Sequence, residues 1–439
     1  MGCRSPKLRG MTDYAFTFTV LFSTLLVLGL GTKFYLASRQ IRHVAQHRDK
    51  VPAAFAATIT QQSHQKAADY TIAKTRLGML EMAFSAAVLL GWTLLGGIDA
   101  LNQAVMRSDL ADQGTLVPQL VLLAAFGLIG GLLDLPFTWY STFRLEERFG
   151  FNKMTLRLWL GDLVKSTVVG AVVGLPIVAL ILWLMGSTGT LWWLWSWVAW
   201  MSFNLLALVL FPTVIAPLFN KFKPLDDEAL KARVTALMQR CGFSAKGLFV
   251  MDGSKRSAHA NAYFTGFGAA KRVVFYDTLL NQLSPAEVDA VLAHELGHFK
   301  HKHIIKRIGL MFAMSLAGFA LLGWLSSQVW FYTGLGVRPN LTGANDALAL
   351  LLFLLVTPLF SFFVSPLMAR FSRKHEFEAD AYAISQTDGR ALQSALLKLY
   401  QDNASTLTPD PVFVKFYYSH PPASERLGRM THSFESAAT

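Results

Sequence analysis

The stretch His294-Glu295-Leu296-Gly297-His298 determines how the rest of the chain is interpreted. It lies in a segment predicted to be helical, because Ser284-Pro285-Ala286-Glu287 forms a capping box with proline at the first helical position. Residues four apart share one face of a helix, so His294 and His298 can bind one tetrahedral Zn²⁺. Glu295 then lies beside the metal, which suits a general base that takes a proton from water. The alternative is a solvated amphipathic helix with ordinary histidines.

A third metal ligand is expected in Ser372–Tyr382, because a catalytic zinc uses three protein ligands and one open position. Glu376 and Asp380 are four residues apart and share a helix face. Glu376 can bind the metal while Asp380 holds a ligand histidine from behind, which fixes its tautomer. Glu378 is the rival ligand, but it lies on another face and has no acidic partner four residues on. A charged helix end next to a membrane segment is the alternative.

The composition predicts a mainly α, multi-span membrane protein. Hydrophobic residues make up 53% of the 439 residues and charged residues only 15%, too apolar for an ordinary soluble protein. Seven stretches reach the ~20 residues that cross a ~30 Å hydrocarbon core. These predicted spans are approximately 14–37, 77–98, 117–141, 164–185, 190–216, 307–333 and 346–369.

The loops between the spans predict the orientation. One side has many basic residues between spans and the opposite side has only Arg107 and Arg338, so the first side is cytoplasmic by the positive-inside rule. Arg4, Lys7 and Arg9 disagree, and Met11 is an alternative start that would remove them. The chain divides into four segments. They are residues 1–216 with five spans, a cytoplasmic α+β insert at 217–306 with the zinc helix, residues 307–369 with two spans, and a cytoplasmic tail at 370–439.

The insert is expected to contain a helix at Asp226–Cys241 and strands at Gly247–Met251, Ala260–Gly266 and Val273–Tyr276. If the strand at Ala260–Gly266 lies at a sheet edge, an extended peptide can pair with it main chain to main chain. An ordinary amphipathic strand is the alternative interpretation.

Charge and cysteine content exclude several other classes of protein. The net charge of +12 is explained by cytoplasmic basic residues facing anionic lipid headgroups, and no nucleic-acid motif is present. Cys3 and Cys241 are too few for a disulfide framework. His420, in a proline-stiffened turn, fits a solvated tail residue. The remaining histidines are expected to be surface residues (His301, His303, His375) or to have no partner pattern (His43, His47, His64, His259, His432).

Several motifs together resemble the type I CAAX prenyl protease family, whose members are integral-membrane zinc metalloproteases. They are His294–His298, the Ser-Arg-x-x-Glu-x-x-Ala-Asp pattern at 372–380, Asn261–Gly266, the Ser-His-Pro-Pro turn at 419–422, Glu146–Asn152 and Ile215–Asn220. The resemblance covers nearly the whole chain. It implies seven helices around a water-filled chamber, with a gluzincin-like zinc site near its cytoplasmic end.

The resemblance also implies roles for particular residues. His294, His298 and Glu376 become the ligands of one Zn²⁺, Glu295 the base and Asp380 the partner of a ligand histidine. His420 would stabilise the oxyanion, Asn261 would bind the substrate main chain, and Arg426 would hold a peptide carboxylate. A wet chamber would explain Glu81 and Asp134 inside spans, although a buried ion pair or a neutral carboxyl explains them equally well.

The substrate expected from the resemblance is a C-terminal Cys-a-a-X tail with a prenyl group, from which three residues are removed. The sequence has no eukaryotic targeting signal, which predicts a bacterial inner-membrane protein with its active site on the cytoplasmic side. Such a protein would cleave peptide or protein substrates, lipid-modified or not, among membrane lipids. A quality-control protease and a non-catalytic scaffold or transporter of the same fold are the alternatives, and the intact Glu295 argues against the second.

Overall fold

The chain folds into long helices with one small sheet, and the computed structural model describes residues 6–243, 247–265 and 272–438. In chain order the helices are α1 (Pro6–Gln46), α2 (Gln61–Trp92), α3 (Gly97–Met106), α4 (Leu116–Tyr140), α5 (Leu156–Ser187), α6 (Trp192–Leu210), α7 (Ala216–Phe219), α8 (Glu228–Arg240), α9 (Asp277–Gln282), α10 (Pro285–Lys300), α11 (His303–Leu325), α12 (Val329–Thr333), α13 (Asp346–Ser361), α14 (Ser365–Gln386), α15 (Gly389–Asp402), α16 (Pro411–Tyr417) and α17 (Ala423–Ala438). The strands are β1 (Phe222–Pro224), β2 (Gly247–Met251), β3 (Ala262–Thr265) and β4 (Arg272–Tyr276).

Seven membrane spans are formed by these helices, as the sequence predicts. Within the described ranges, six continuous helical segments are long and apolar enough to cross a membrane, and the α2–α3 pair, bent by 47°, gives a seventh. The bend follows Thr93 and includes Gly96, whose φ of +82° favours glycine. The sixth span ends at Leu325 instead of residue 333, because α12 is a separate short helix.

The apolar outer faces of the spans show why they require a lipid environment. On α5, Val164, Val168 and Val172 lie four residues apart and are 62%, 54% and 68% exposed. Side chains with this spacing form one stripe along a helix. An apolar stripe that no protein covers is stable in the hydrocarbon of a bilayer and costly in water.

The sheet has the order β1-β2-β4-β3. β2 and β4 are parallel, whereas β1–β2 and β3–β4 are antiparallel, so β3 lies at an edge as the sequence suggested. The sequence missed β1, which has only three residues. The predicted strand at Ala260–Gly266 begins later, at Ala262, and its Gly266 end lies outside the described residues, as does Arg4.

One apolar core joins the sheet to the helices that follow it along the chain. Its buried side chains come from α8, β4, α10, α15 and α17, including Val234, Phe275, Leu292, Leu296, Leu396 and Met430. The predicted capping box is present, and Glu287 also binds Lys398 Nζ at 2.7 Å and Ser394 Oγ at 2.6 Å. The four-segment division of the chain stays a prediction, but residues 217–306 and 370–439 share this core.

Candidate active site

Two helices pack unusually closely where the predicted metal ligands lie. Gly297 of α10 faces Ala379 of α14, and a Cβ atom at Gly297 would lie 2.9 Å from Ala379 Cα and 3.1 Å from its carbonyl oxygen. Ala293, Ala379 and Ala383 are fully buried beside this contact. Small residues allow helix backbones to approach each other. The glycine inside the H-E-x-x-H stretch therefore lets α14 bring its carboxylates up to the histidines of α10.

The three predicted ligands lie together between these helices. Glu376 Oε2 is 3.4 Å from His294 Nε2, and Glu376 Oε1 is 3.5 Å from His298 Nε2. Nitrogen and oxygen ligands at 2.0–2.1 Å in a tetrahedron are about 3.3 Å apart, so these separations suit one metal ion. Among the described residues, buried Glu376 Oε2 has no hydrogen-bond partner. An unsatisfied buried carboxylate oxygen facing two imidazoles fits a metal ligand.

Asp380 and Arg426 lie behind His294. Asp380 Oδ1 is 2.8 Å from His294 Nδ1. Arg426 donates to both oxygens of this carboxylate, from Nε at 2.8 Å and from Nη2 at 2.5 Å. Burial alone would lower the pKa of His294, but the Asp380 and Glu376 carboxylates outweigh this effect and raise the pKa to about 9. The surroundings of this imidazole therefore favour positive charge. Arg426 is buried and paired with Asp380, whereas the resemblance had suggested a peptide carboxylate as its partner.

His303 lies behind His298, and the expectation that it is a surface residue is wrong. Its side chain is 4% exposed, and its Nδ1 is 3.0 Å from His298 Nδ1. Its Nε2 is 2.8 Å from Glu378 Oε2. Helical spacing indicates the three metal ligands, but it does not show which group contacts the outer nitrogen of His298.

The pKa shifts of Glu295 and His298, both on α10, suit their expected roles as general base and metal ligand. Burial, chiefly, raises the pKa of the Glu295 carboxyl, and the nearby Glu376 carboxylate adds to this effect. A raised pKa brings a carboxylate closer to the range of an effective general base. Burial and then the proximity of His294 lower the pKa of His298 to about 4, so this imidazole is neutral and able to bind a metal at neutral pH.

His420 lies on the open side of the site, with its Nε2 3.4 Å from Glu376 Oε1 and its side chain 64% exposed. Two residues hold the turn that contains it. Arg373 Nη1 donates to the carbonyl oxygens of Val414 at 3.1 Å and Tyr418 at 2.7 Å, and the Tyr400 hydroxyl donates to the Pro421 carbonyl at 3.3 Å. The arginine of the Ser-Arg-x-x-Glu pattern therefore positions the chain beside the metal ligands.

A cavity of about 1210 Å³ opens at this site and continues among the spans. His420 and Asn261 both line it, so the structure brings these two predicted residues to the same cavity. Asn261 comes just before edge strand β3. Glu81 also lines the cavity, which favours the wet-chamber explanation for this carboxyl inside a span.

His259 also lines the cavity, although no partner for it was expected from the sequence. Its Nδ1 is 3.1 Å from Asn403 Oδ1, and its ring stacks on Phe151 with 4.5 Å between centroids. Its Nε2 is 3.7 Å from a Glu146 carboxylate oxygen. These partners are more than a hundred residues away along the chain, so sequence spacing could not reveal them.

Comparisons with known proteins match two consecutive parts of the chain. Residues 40–221 match the family described as CAAX prenyl protease N-terminal, five membrane helices, and residues 224–433 match peptidase family M48. CAAX prenyl protease 1 of Saccharomyces cerevisiae is 34% identical over 438 residues, covering 95% of this chain and 96% of the yeast protein. The human CAAX prenyl protease 1 homolog is 30% identical over 437 residues, covering 90% and 91%. The crystal structure of S. mikatae Ste24p superposes with a TM-score of 0.87 at 31% identity, covering 94% of this chain and 98% of that one.

These relatives correct one expectation. The yeast and human proteins are eukaryotic. So is a plant protein, the CAAX prenyl protease 1 homolog of Arabidopsis thaliana, which is 33% identical; the match covers 90% of this chain and 92% of the plant protein. The expected bacterial origin and bacterial membrane are therefore unsupported. The lack of a recognisable targeting signal does not indicate a bacterial origin, because a multi-span protein can be inserted through its first hydrophobic helix.

The close contact at Gly297 gives a first prediction. We expect Gly297→Ala to weaken zinc binding about 10-fold, because overpacking costs about 1–3 kcal/mol and pushes α14 away from α10. Competition with a chromophoric chelator measures this affinity. The control is Gly309→Ala on α11, where an added Cβ meets nothing within 4 Å. Unchanged zinc affinity in Gly297→Ala would mean that the helix separation does not set the ligand geometry.

The buried position of Arg426 gives a second prediction. Removing one partner of a buried ion pair costs about 3–5 kcal/mol, so we expect Arg426→Met to lower the thermal unfolding midpoint by several degrees. The exposed neighbour Glu425 provides the control Glu425→Gln, which should leave the midpoint unchanged. A stable Arg426→Met protein with a raised KM only for substrates with a free carboxylate would instead support the substrate-binding role.

Proposed function

Because the chain belongs to the CAAX prenyl protease 1 family, within peptidase family M48, we propose that it cleaves the C-terminal tails of prenylated proteins. This membership confirms the resemblance predicted from the sequence and makes the chain a multi-pass membrane zinc metalloendopeptidase. The observation that supports the proposed substrate most strongly is the position of the His294, His298 and Glu376 cluster. His420, whose Nε2 is 3.4 Å from Glu376 Oε1 of this cluster, lines a cavity that extends into the membrane-spanning part of the molecule.

We assign one Zn²⁺ per chain to His294, His298 and Glu376. Two imidazole nitrogens and a carboxylate form a donor set typical of catalytic zinc, and their separations fit a tetrahedral ion. Zinc bound there would supply a Lewis acid that polarises the scissile carbonyl and lowers the pKa of water toward ~7. Asp380 accepts the Nδ1 proton of His294 and keeps Nε2 free for the metal.

The other residues at the site supply proton transfer and substrate binding. Glu295 takes a proton from the attacking water and delivers it to the leaving amine nitrogen. His420, beside the cluster and open to the cavity, donates a hydrogen bond to the carbonyl oxygen as negative charge develops there. Asn261 binds the substrate main chain next to the free edge of β3. Arg426 holds Asp380 in position and does not contact substrate.

The shape and lining of the cavity support a prenylated substrate. Where it passes between spans, its wall includes an apolar group of side chains, Leu26, Leu30, Met82, Leu89, Leu355 and Leu359, together with Glu81 and Ser85. Its outer end has polar residues near the metal cluster. A substrate with a hydrocarbon chain at one end and a peptide at the other matches both regions. The relatives named above are CAAX prenyl proteases, which agrees with this chemistry.

We place the metal cluster on the cytoplasmic side of the membrane. The loops predicted on that side from the sequence, together with the ends of α1 and α2 next to them, contain most of the basic residues, including Arg39, Arg42, Arg48, Lys66, Lys74 and Arg148. Such residues contact anionic lipid headgroups. The Arg338–Asp99 ion pair belongs to the opposite side.

A prenylated tail peptide tests the reaction and the roles of two carboxylates. We expect the protein purified in detergent to contain about one zinc and to cleave this peptide, with activity lost in a chelator. Glu295→Gln should keep the zinc but lose turnover by several orders of magnitude, because an amide cannot accept the proton. Glu376→Gln should lose the zinc itself. Metal analysis and a cleavage assay on the same samples separate the two effects.

Two results would contradict these assignments. If Glu376→Gln kept its zinc while the matched change Glu378→Gln lost it, the third ligand would be Glu378. Equal cleavage of prenylated and unprenylated peptides would reject the proposed substrate while leaving the metalloprotease intact.

The position of His420 predicts a specific kinetic effect. We expect His420→Ala to lower kcat and kcat/KM together by roughly 10²–10³, with zinc content unchanged, because the lost hydrogen bond forms in the transition state. Lys415→Ala, an exposed change on the same tail, is the control. Normal kinetics in His420→Ala would return this histidine to the solvated-tail interpretation.

A further inference from the structure

A tight turn folds His303 back against the helix that contains the metal ligands. Lys302 links α10 to α11 with φ of +57°, in the left-handed region that non-glycine residues rarely adopt. His303 follows it as the first residue of α11 and is buried. A strained turn persists only where the surroundings require it. Here it brings the His303 imidazole against the outer side of His298.

The hydrogen-bond distances define one direction for the protons in this group. His298 Nε2 faces Glu376, so a metal-binding His298 has its proton on Nδ1. That proton is donated to His303 Nδ1 at 3.0 Å. His303, accepting at Nδ1, must then have its own proton on Nε2, where Glu378 Oε2 accepts it at 2.8 Å. Each donor meets one acceptor, and the series ends at a carboxylate.

A second metal site is the competing interpretation, since ligand atoms of His303, His375 and Glu378 all lie within 4.8 Å of one another. The ring geometry opposes it. The His303 and His375 rings are stacked, with 3.9 Å between centroids and 13° between planes. The lone pairs of imidazole nitrogens lie in the ring plane, so those of stacked rings run parallel and do not converge on one ion. A metal on His303 Nε2 would also displace the proton that His303 donates to Glu378.

We propose that His303 and Glu378 are positioning residues that fix the tautomer and ring orientation of the metal ligand His298. Asp380 contacts the ligand His294 directly, whereas Glu378 acts on the ligand His298 through the imidazole of His303. Partners of this kind hold a ligand ring in place and increase its basicity, and their loss typically weakens metal binding 10–100-fold. The proposal rests on the proposed function in one respect, the assignment of His298 as a ligand.

Zinc affinity of the full-length protein in detergent, measured by competition with a chromophoric chelator, tests the proposal. We expect His303→Ala and Glu378→Ala each to weaken zinc binding about 10–100-fold. The double variant should bind zinc no more weakly than His303→Ala alone, because Glu378 acts only through His303. His303→Asn offers an amide oxygen to the His298 proton, so it should regain part of the affinity and be insensitive to Glu378→Ala.

Lys374→Ala is the matched control, since this exposed lysine lies 3.8 Å from the other oxygen of Glu378 and should change affinity less than about twofold. Additive losses in the double variant, or wild-type affinity in both single variants, would overturn the proposal. A second bound zinc that His375→Ala removes would overturn it in favour of a metal site. Full zinc retention in His298→Ala would instead reject the ligand assignment in the proposed function.

Discussion

The close contact between α10 and α14 is the constraint on which the rest of the site depends. Two ligand histidines lie on one helix and the ligand carboxylate on the other, so the backbone separation sets the distance between the donor atoms. Gly297 has no side chain, and a Cβ there would lie 2.9 Å from Ala379 Cα, so the helices approach backbone to backbone at this point. Short hydrogen bonds and metal–ligand distances tolerate errors of only a few tenths of an ångström. A larger residue at either position would alter the whole site.

This contact buries negative charge, and the surroundings balance it. Glu376 and Asp380 are both 4% exposed, and an isolated buried carboxylate is strongly destabilising. Arg426 neutralises Asp380 through two hydrogen bonds. Glu376 lies 3.4–3.5 Å from three imidazoles and has one oxygen without a hydrogen bond among the described residues, so a divalent cation is the partner its surroundings fit best. The raised pKa of His294 reflects the same demand for positive charge.

Local sequence patterns predicted the features that depend on neighbours along the chain. Helical spacing and the capping box located α10, and hydrophobic length located the seven spans. The partners of Arg426 and His303 were not predictable, because Asp380 and Glu378 approach them only through tertiary packing. The three-residue strand β1 gave no periodic signal, since its pairing with β2 supplies its stability. These three features depend on contacts between residues far apart along the chain, which residue spacing does not reveal.

The path of α13 and α14 explains how a membrane chamber and a metal site become one structure. Residues Asp346–Gln386 form a continuous helical segment that begins as a membrane span and ends with Glu376 and Asp380. The first part of this segment lines the cavity with Leu355 and Leu359, and His420, beside the ligand Glu376, lines the same cavity. A hydrocarbon chain is stable at the first position and a peptide bond at the second. The same helical segment supplies Leu355 and the ligand Glu376, so for the prenylated substrate proposed above the depth of the lipid chain would set how much of the peptide reaches the metal ligands.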